Sequence, residues 1–326
     1  MKAIVYHHYG PPDVLEWAEI EKPAAGNNEV LVRVRAASAN PLDWHFLRGT
    51  PYFVRAQAGL RRPKIIRLGV DLAGQVEAVG KNVTQFQPGD EVFGASRGAF
   101  AEYVCASADA LALKPVNLTF EQAAAVPVAG FTAMQGLRDK GRIQPAQKIL
   151  INGAAGGVGT FAVQIAKSFG ADVTGVCSTR NVELVRSIGA DQVIDYTQED
   201  FTRSGQRYAL IFDSVGNQPL SACRRALTPA GTLVLVGGPD KGRWLGPMTR
   251  MLKAAVLSRF VSQNLVPLLA HFRKDDLVVM RELLEAGKVT PVIDRCYPLR
   301  EVPEAIRYLE EGHARGKVII TMERHS

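Results

Sequence analysis

Lys148-Ile-Leu-Ile-Asn-Gly-Ala-Ala-Gly-Gly-Val-Gly159 runs from a short apolar segment, through a cluster of glycines, into an amphipathic one. Ile149, Leu150 and Ile151 predict a strand buried on both faces. Val158, Phe161, Ala162, Ile165 and Phe169 then recur at helical spacing until Gly170, so a helix starts inside the glycine cluster. Gly156, Gly157 and Gly159 allow close backbone approach to a pyrophosphate and close packing of helix on strand. The free N–H groups and the dipole of the first helical turn favour a bound anion. Ala154 stands where G-x-G-x-x-G has its first glycine, but the strand, loop and helix that give such a motif its meaning are all present. The stretch predicts a dinucleotide cradle.

Downstream, strands and helices alternate. Segments 172–177, 191–196, 209–214, 231–237 and 265–270 follow the first strand, with helical patterns at 182–188 and 218–226, which predicts a doubly wound parallel sheet of six strands. Upstream the texture is different. Short extended runs at 3–7, 30–37, 71–79, 91–95 and 100–105 are broken by Gly10-Pro11-Pro12, Gly26-Asn27-Asn28 and Pro88-Gly89-Asp90, an all-β pattern of barrel or sandwich type. Thr119-Phe-Glu-Gln122 reads as a capping box opening an alanine-rich helix, and a second helix is expected after Pro127. Segment 240–260, with Trp244, Pro247, Met248 and Met251, is longer than a crossover needs; it walls a pocket or packs as core, and both readings stay open. After Asp275 come a helix and strands near 291–296 and 317–322, a return to β texture that completes the first domain. The domains are therefore expected at 1–127 with 273–326 and at 128–272, with a crevice between them as the natural ligand site.

Composition narrows the class. The chain has 326 residues, 47% hydrophobic, with a formal net charge of +7. It holds no run of about eighteen apolar residues, and Met1-Lys2-Ala3-Ile4-Val5-Tyr6 reads as a strand rather than a signal peptide, so no membrane association and a cytoplasmic location are expected. The basic residues are dispersed; only Arg61-Arg62-Pro63-Lys64 cluster, as a solvated loop, and no nucleic-acid partner is expected. Cys105, Cys177, Cys223 and Cys296 are far apart and without C-x-x-C spacing, which predicts reduced and mostly buried thiols.

Gly153-Ala-Ala-Gly-Gly-Val-Gly159, together with Gly69-Val-Asp-Leu-Ala-Gly74, Gly189-Ala-Asp-Gln-Val-Ile-Asp-Tyr196 and Asn40-Pro-Leu-Asp43, resembles the medium-chain dehydrogenase/reductases across nearly the whole chain. The nearest resemblance is to their zinc-independent quinone oxidoreductase branch, which includes zeta-crystallin and enone reductases. It implies a GroES-like β domain followed by a Rossmann domain, an α/β fold, and in many members a homodimer through the Rossmann domains. Zinc alcohol dehydrogenases of the superfamily carry a cysteine ligand near Ala39-Asn40 and Gly-His-Glu at Gly69-Val70-Asp71, and both are missing here. Four closely spaced cysteines for a structural zinc lobe are also missing, and Asp43 with His45 is too small a ligand set, so no metal is expected.

An NAD-selective enzyme places a carboxylate at the end of the second strand. This chain has Cys177-Ser178-Thr179-Arg180-Asn181 there, so Arg180 with the hydroxyls of Ser178 and Thr179 is expected to hold the 2′-phosphate of NADPH. Ala155 and Val158 belong to the cradle with the glycines. By resemblance, Thr132 lies toward the nicotinamide, Tyr196 near the adenine, Ser214 and Val215 after the fourth strand, Gly237 and Gly238 after the fifth, and Lys317 near the C-terminus.

Without a metal to polarise a carbonyl, conjugate reduction is the less demanding chemistry: hydride goes to the β-carbon of an enone, or to a quinone, and a hydroxyl or water supplies the proton. Asn40, Asp43 and Tyr52 match the family stretches and are the candidate catalytic residues, Tyr52 as proton donor. Asn40 and Asp43 equally suit a cap on the segment that follows. The chain is thus expected to reduce quinones or α,β-unsaturated carbonyl compounds; a non-catalytic NADPH-binding scaffold, crystallin-like or RNA-associated, and an alcohol dehydrogenase are the alternatives.

Overall fold

Ile149, Leu150 and Ile151 are fully buried in the strand Lys148–Asn152, the centre of a parallel six-stranded sheet. A computed structural model describes residues 1–237 and 248–322. The chain divides into two compact units, one of Met1–Val128, Phe272–Gly287 and Pro291–Ser326, the other of Ala129–His271 and Lys288–Thr290.

In the second unit the strands lie in the order Gln192–Asp195, Asp172–Cys177, Lys148–Asn152, Tyr208–Asp213, Leu227–Leu235 and Asn264–Pro267. Chain direction reverses its progress across the sheet between the third and fourth of these, the switch point at which such sheets bind ligands. Helix Gly157–Ser168 covers the sheet with Phe161, Ala162 and Ile165 fully buried, each large side chain worth roughly 1.5–3 kcal/mol. Gly170 ends it at φ +76°, a conformation that a residue with a side chain resists. The last strand stops at Pro267, earlier than expected; the Leu268 N–H makes one more bond, to the carbonyl of Leu235, where the neighbouring strand ends.

In the first unit a seven-stranded sheet runs Ile293–Pro298, Lys317–Thr321, Glu29–Ala39, Asp71–Val79, Glu91–Ala95 and Leu111–Leu113, with Tyr103–Ser107 also paired to Glu29–Ala39. The C-terminal strand enters antiparallel to Glu29–Ala39, Val318 opposite Ala39 and Ile319 opposite Ser38. That register brings Lys317 beside Asn40. The all-β expectation is corrected at two places, where helices Pro41–Arg48 and Phe53–Ala58 interrupt the strands. The first begins because Pro41 suits a first helical position and Asp43 caps the Asn40 N–H at 2.8 Å. The expected strand 100–105 is also displaced, to Tyr103–Ser107, since the Phe100 N–H is bonded to the Leu68 carbonyl and Ala101 bridges Ala3.

Thr119 and Gln122 close the expected capping box, at 3.2 Å and 3.0 Å, and a helix follows at Pro127–Met134. Cys177 and Cys223 are buried, but Cys105 is half-buried and Cys296 exposed, so the thiols are less enclosed than expected. Among the described residues no helix is long and apolar enough to cross a membrane.

Candidate active site

The loop after Lys148–Asn152 is held by close backbone approach. At Gly153, φ is +87° and an added Cβ would stand 2.5 Å from Ser214 Oγ; at Gly159 it would stand 2.0 Å from the Gly153 carbonyl. Gly237 is fixed in the same way, its Cβ position 2.2 Å from the Ser214 carbonyl. These glycines let three loops abut at the carboxyl ends of neighbouring strands. Gly156 is different: its φ is −81° and an added Cβ would meet only the Gly153 carbonyl, at 3.4 Å. Folding does not require glycine there. Gly156 caps the helix whose first turn, Gly157, Val158 and Gly159, leaves N–H groups without helical partners. A Cβ at Gly156 would fill space that a phosphate needs, so the cradle fits a dinucleotide pyrophosphate.

Beneath this loop, Asn152 Nδ2 donates to Asp213 Oδ1 at 2.8 Å and to Asn217 Oδ1 at 2.9 Å, and Asp213 Oδ1 accepts the Gly216 N–H at 2.8 Å. Arg250 Nη2 lies 2.8 Å from the other oxygen, Oδ2, but the angle is too poor for a hydrogen bond. Sequence reasoning missed Asn152, Asp213 and Arg250; only the apposition of two strand ends and helix Met248–Leu257 reveals them. Ser214 Oγ donates to the Asn152 carbonyl at 2.7 Å, while Val215 is 41% exposed at the same rim. Thr132 is buried in helix Pro127–Met134, and Ala155 is buried in the loop. Gly238 lies outside the described residues, as do 240–247 of the 240–260 segment; helix Met248–Leu257 makes up most of the remainder.

At the end of Asp172–Cys177, Thr179 and Arg180 are exposed and Ser178 Oγ accepts from Asn181 Nδ2 at 3.2 Å. Tyr196 is 53% exposed, which leaves its ring available to an adenine. The reading that no carboxylate stands at this edge needs correction. Asp195 pairs with Cys177 across the neighbouring strand, and its Oδ1 accepts from the Thr197 N–H at 3.0 Å and the Thr197 hydroxyl at 2.8 Å. A hydrogen bond from the Thr179 hydroxyl holds the Asp195 carboxyl below its usual range, so it stays ionised beside a proposed phosphate ligand.

In the first unit, Ser38, Asn40, Asp43, Asp71 and Lys317 form a buried polar cluster. Lys317 Nζ donates to Asn40 Oδ1 at 2.5 Å and lies 3.4 Å from Asp71 Oδ2. Asn40 Nδ2 donates to Asp71 Oδ2 at 2.9 Å and the Ser38 carbonyl at 3.3 Å, and Asp71 Oδ1 accepts the Val128 N–H at 3.0 Å. Asp43 accepts the Asn40 and Gly69 N–H groups, one on each oxygen. Burial pushes the Asp43 carboxyl up to about 7 against the pull of those two donors. Burial raises Asp71 too, opposed first by the Lys317 charge. The amide of Asn40 is thus fully engaged within the protein, and the Lys317 ammonium serves this cluster.

A concave, partly open site is lined by Asp43 together with Tyr6, Phe46, Arg67, Leu68 and Arg97. Tyr52, expected beside Asn40 and Asp43, is not among the lining residues; it heads helix Phe53–Ala58 with the Arg55 guanidinium 4.8 Å from its ring. His45, given no role, binds the Thr50 carbonyl through Nδ1 at 2.8 Å. Arg61, Arg62 and Lys64 are exposed in a loop. Among the described residues no three His, Cys, Asp or Glu side chains gather into a metal-holding group.

Residues 26–116 match the alcohol dehydrogenase GroES-like domain and residues 188–320 match the zinc-binding dehydrogenase family. A mouse protein named mitochondrial NAD(P)H oxidoreductase RTN4IP1 is 35% identical, over 99% of this chain and 89% of its own. A tomato 2-methylene-furan-3-one reductase is 36% identical over 98% of this chain and 79% of its own. The Escherichia coli quinone oxidoreductase solved with NADPH superposes with a TM-score of 0.84 at 26% identity, over 98% of this chain and all of that one. Sequence similarity along the whole chain and the shared two-part architecture lead to one assignment: the chain belongs to the medium-chain dehydrogenase/reductase superfamily, with the quinone oxidoreductases.

Proposed function

We propose that this chain is an NADPH-dependent reductase of quinones or α,β-unsaturated carbonyl compounds. The observation that carries the reading is Gly156, a glycine that the fold does not need, at the head of helix Gly157–Ser168 on the ligand-binding edge of a Rossmann sheet. The names of the relatives, an NAD(P)H oxidoreductase, an enone reductase and a quinone oxidoreductase bound to NADPH, support the same chemistry.

In this reading Ala155 to Gly159 cradle the pyrophosphate, Ser178, Thr179 and Arg180 take the 2′-phosphate, Tyr196 flanks the adenine, and Thr132, Ser214, Val215 and Gly237 border the nicotinamide half. When bound, NADPH supplies a hydride. The chain orients donor and acceptor and excludes water. Hydride adds to the β-carbon, negative charge passes to the carbonyl oxygen, and a proton from Tyr52 or water completes the reduction. Asn40, Asp43 and Lys317 are positioning residues, since their polar atoms are engaged with one another and with Asp71.

The test follows loss of the NADPH absorbance band on addition of quinones and enones. Turnover supports the reading; NADPH binding without turnover of any acceptor overturns it in favour of a scaffold. Tyr52→Phe should slow turnover, and an unchanged rate leaves water as the donor.

We also propose a homodimer through the edge of the Rossmann sheet. Strand Asn264–Pro267 ends that sheet, and Leu252, Val256 and Leu269 nearby are 67%, 54% and 70% exposed. Light scattering should give twice the 35.4 kDa chain mass, and a monomer mass overturns this.

A further inference from the structure

The concave site of the first unit has an uneven charge. Arg67 and Arg97 both line it, and the Gly98 Cβ position lies 3.2 Å from Arg67 Nε, so the Arg67 guanidinium stands against the residue next to Arg97. Arg97 lies over the Phe46 ring at 5.6 Å. Among the described residues neither guanidinium has a carboxylate partner. Asp43, the carboxyl in the lining, already gives both oxygens to the Asn40 and Gly69 N–H groups. Tyr6 adds a second unused group. The residue as a whole is 2% exposed and lines the same site, and among the described residues its hydroxyl makes no hydrogen bond within the protein, so that donor is open to a ligand. Burial raises the Tyr6 phenol to about 12, so it remains a donor at neutral pH. Phe46, Leu68 and Ile65 make the remaining wall apolar.

Building on the reductase reading above, we propose that this pocket selects unsaturated carbonyl acceptors that carry a carboxylate, with the Tyr6 hydroxyl and the Arg67 and Arg97 guanidinia receiving the carboxylate and the apolar wall receiving the carbon chain. Three donors around one anion give charge-assisted bonds, and the weakly hydrated, planar guanidinium is the side chain best suited to a carboxylate. In the reaction, hydride adds to the alkene carbon β to the ketone, the π pair takes a proton at the α carbon, and NADP⁺ leaves; the carboxylate is unchanged.

The experiment compares 4-oxopent-2-enoate with pent-3-en-2-one, the same enone bearing a methyl group in place of the carboxylate. The wild type should favour the acid in kcat/KM by about tenfold or more, within the roughly tenfold to hundredfold that one charge-assisted bond confers. Arg67→Ala and Arg97→Ala should each lower that acid-to-ketone ratio by roughly fivefold, and Tyr6→Phe, which keeps the buried ring, by a few fold. A ratio near one in the wild type, with pent-3-en-2-one turned over, overturns this proposal and leaves the reductase reading intact. If neither compound is reduced, the reductase reading has failed for enones, and calorimetric titration with 4-oxopent-2-enoate decides: binding that weakens in Arg97→Ala upholds the pocket, and absence of binding heat overturns it.

Discussion

The loop that joins Lys148–Asn152 to Gly157–Ser168 and the buried polar cluster of the other unit are both built around a charge problem, but they solve it differently. The loop belongs to one continuous stretch and presents backbone N–H groups to an anion that arrives from outside. The cluster holds its own charges, and its closest bond joins Asn40 to Lys317, 277 positions apart in the chain. One region, on the proposed function, is shaped for a ligand, and water can satisfy its open amides. The other must be internally complete, because an unpartnered ion inside a dry interior has nothing to replace its lost hydration. The contrast yields graded expectations.

The largest effect should come from breaking the cluster. Asp71→Ala leaves the Lys317 ammonium, 3% exposed, without its carboxylate, and should cost about 3–5 kcal/mol in urea denaturation. A loss below about 1 kcal/mol would show that the cluster does not depend on that pair.

Two glycine variants should sharpen the difference next. Gly159→Ala forces a Cβ to 2.0 Å from the Gly153 carbonyl and should lower stability by roughly 1–3 kcal/mol. Gly156→Ala meets no such obstacle and should fold as the wild type while losing about tenfold or more in NADPH affinity, measured by fluorescence titration. Equal losses of stability in the two would mean that the loop, like the cluster, is shaped for folding alone.

Asp43 provides a pH-dependent comparison of about 4 kcal/mol. Its folded value of about 7 lies above the ordinary 3.8, so its protonated form favours the fold. That contribution is complete below the unfolded value and is lost as pH rises through about 7. Wild-type stability should therefore fall between about pH 4 and pH 8, and Asp43→Asn should flatten the slope. The smallest change concerns the cofactor edge. Arg180→Asp should narrow the NADPH over NADH preference by about tenfold in kcat/KM, and Asp195→Asn should widen it a few fold.

The cradle could be read before folding was considered, because Gly156, Gly159 and the apolar residues 149–151 lie within a single strand, loop and helix. Strands Asp71–Val79 and Glu91–Ala95 and the Thr119 capping box were legible for the same reason: each is a local pattern with its own turn or cap. Sheet order is not local. Asp195 faces Cys177 only because the strand that carries it is laid beside Asp172–Cys177, and that neighbour changes the electrostatics of the Arg180 edge. Ser38, Asp71 and Lys317 meet only through the antiparallel entry of the C-terminal strand. Tyr6 drew no notice because a tyrosine that ends an apolar strand looks like core; its place in the wall of a concave site is visible only in three dimensions. Tyr52 was chosen for its neighbours in sequence, and it stands at the head of the short helix Phe53–Ala58.

The central claim is direct hydride transfer from NADPH to a conjugated acceptor by the chain's own residues. It is tested most directly by turning over an enone with NADPH deuterated at C4 of the nicotinamide, using protein dialysed against a metal chelator. The account expects the deuterium in the product at the carbon β to the carbonyl, with undiminished yield after chelation. Deuterium appearing in solvent instead, or transfer that returns only when zinc is added back, would contradict it.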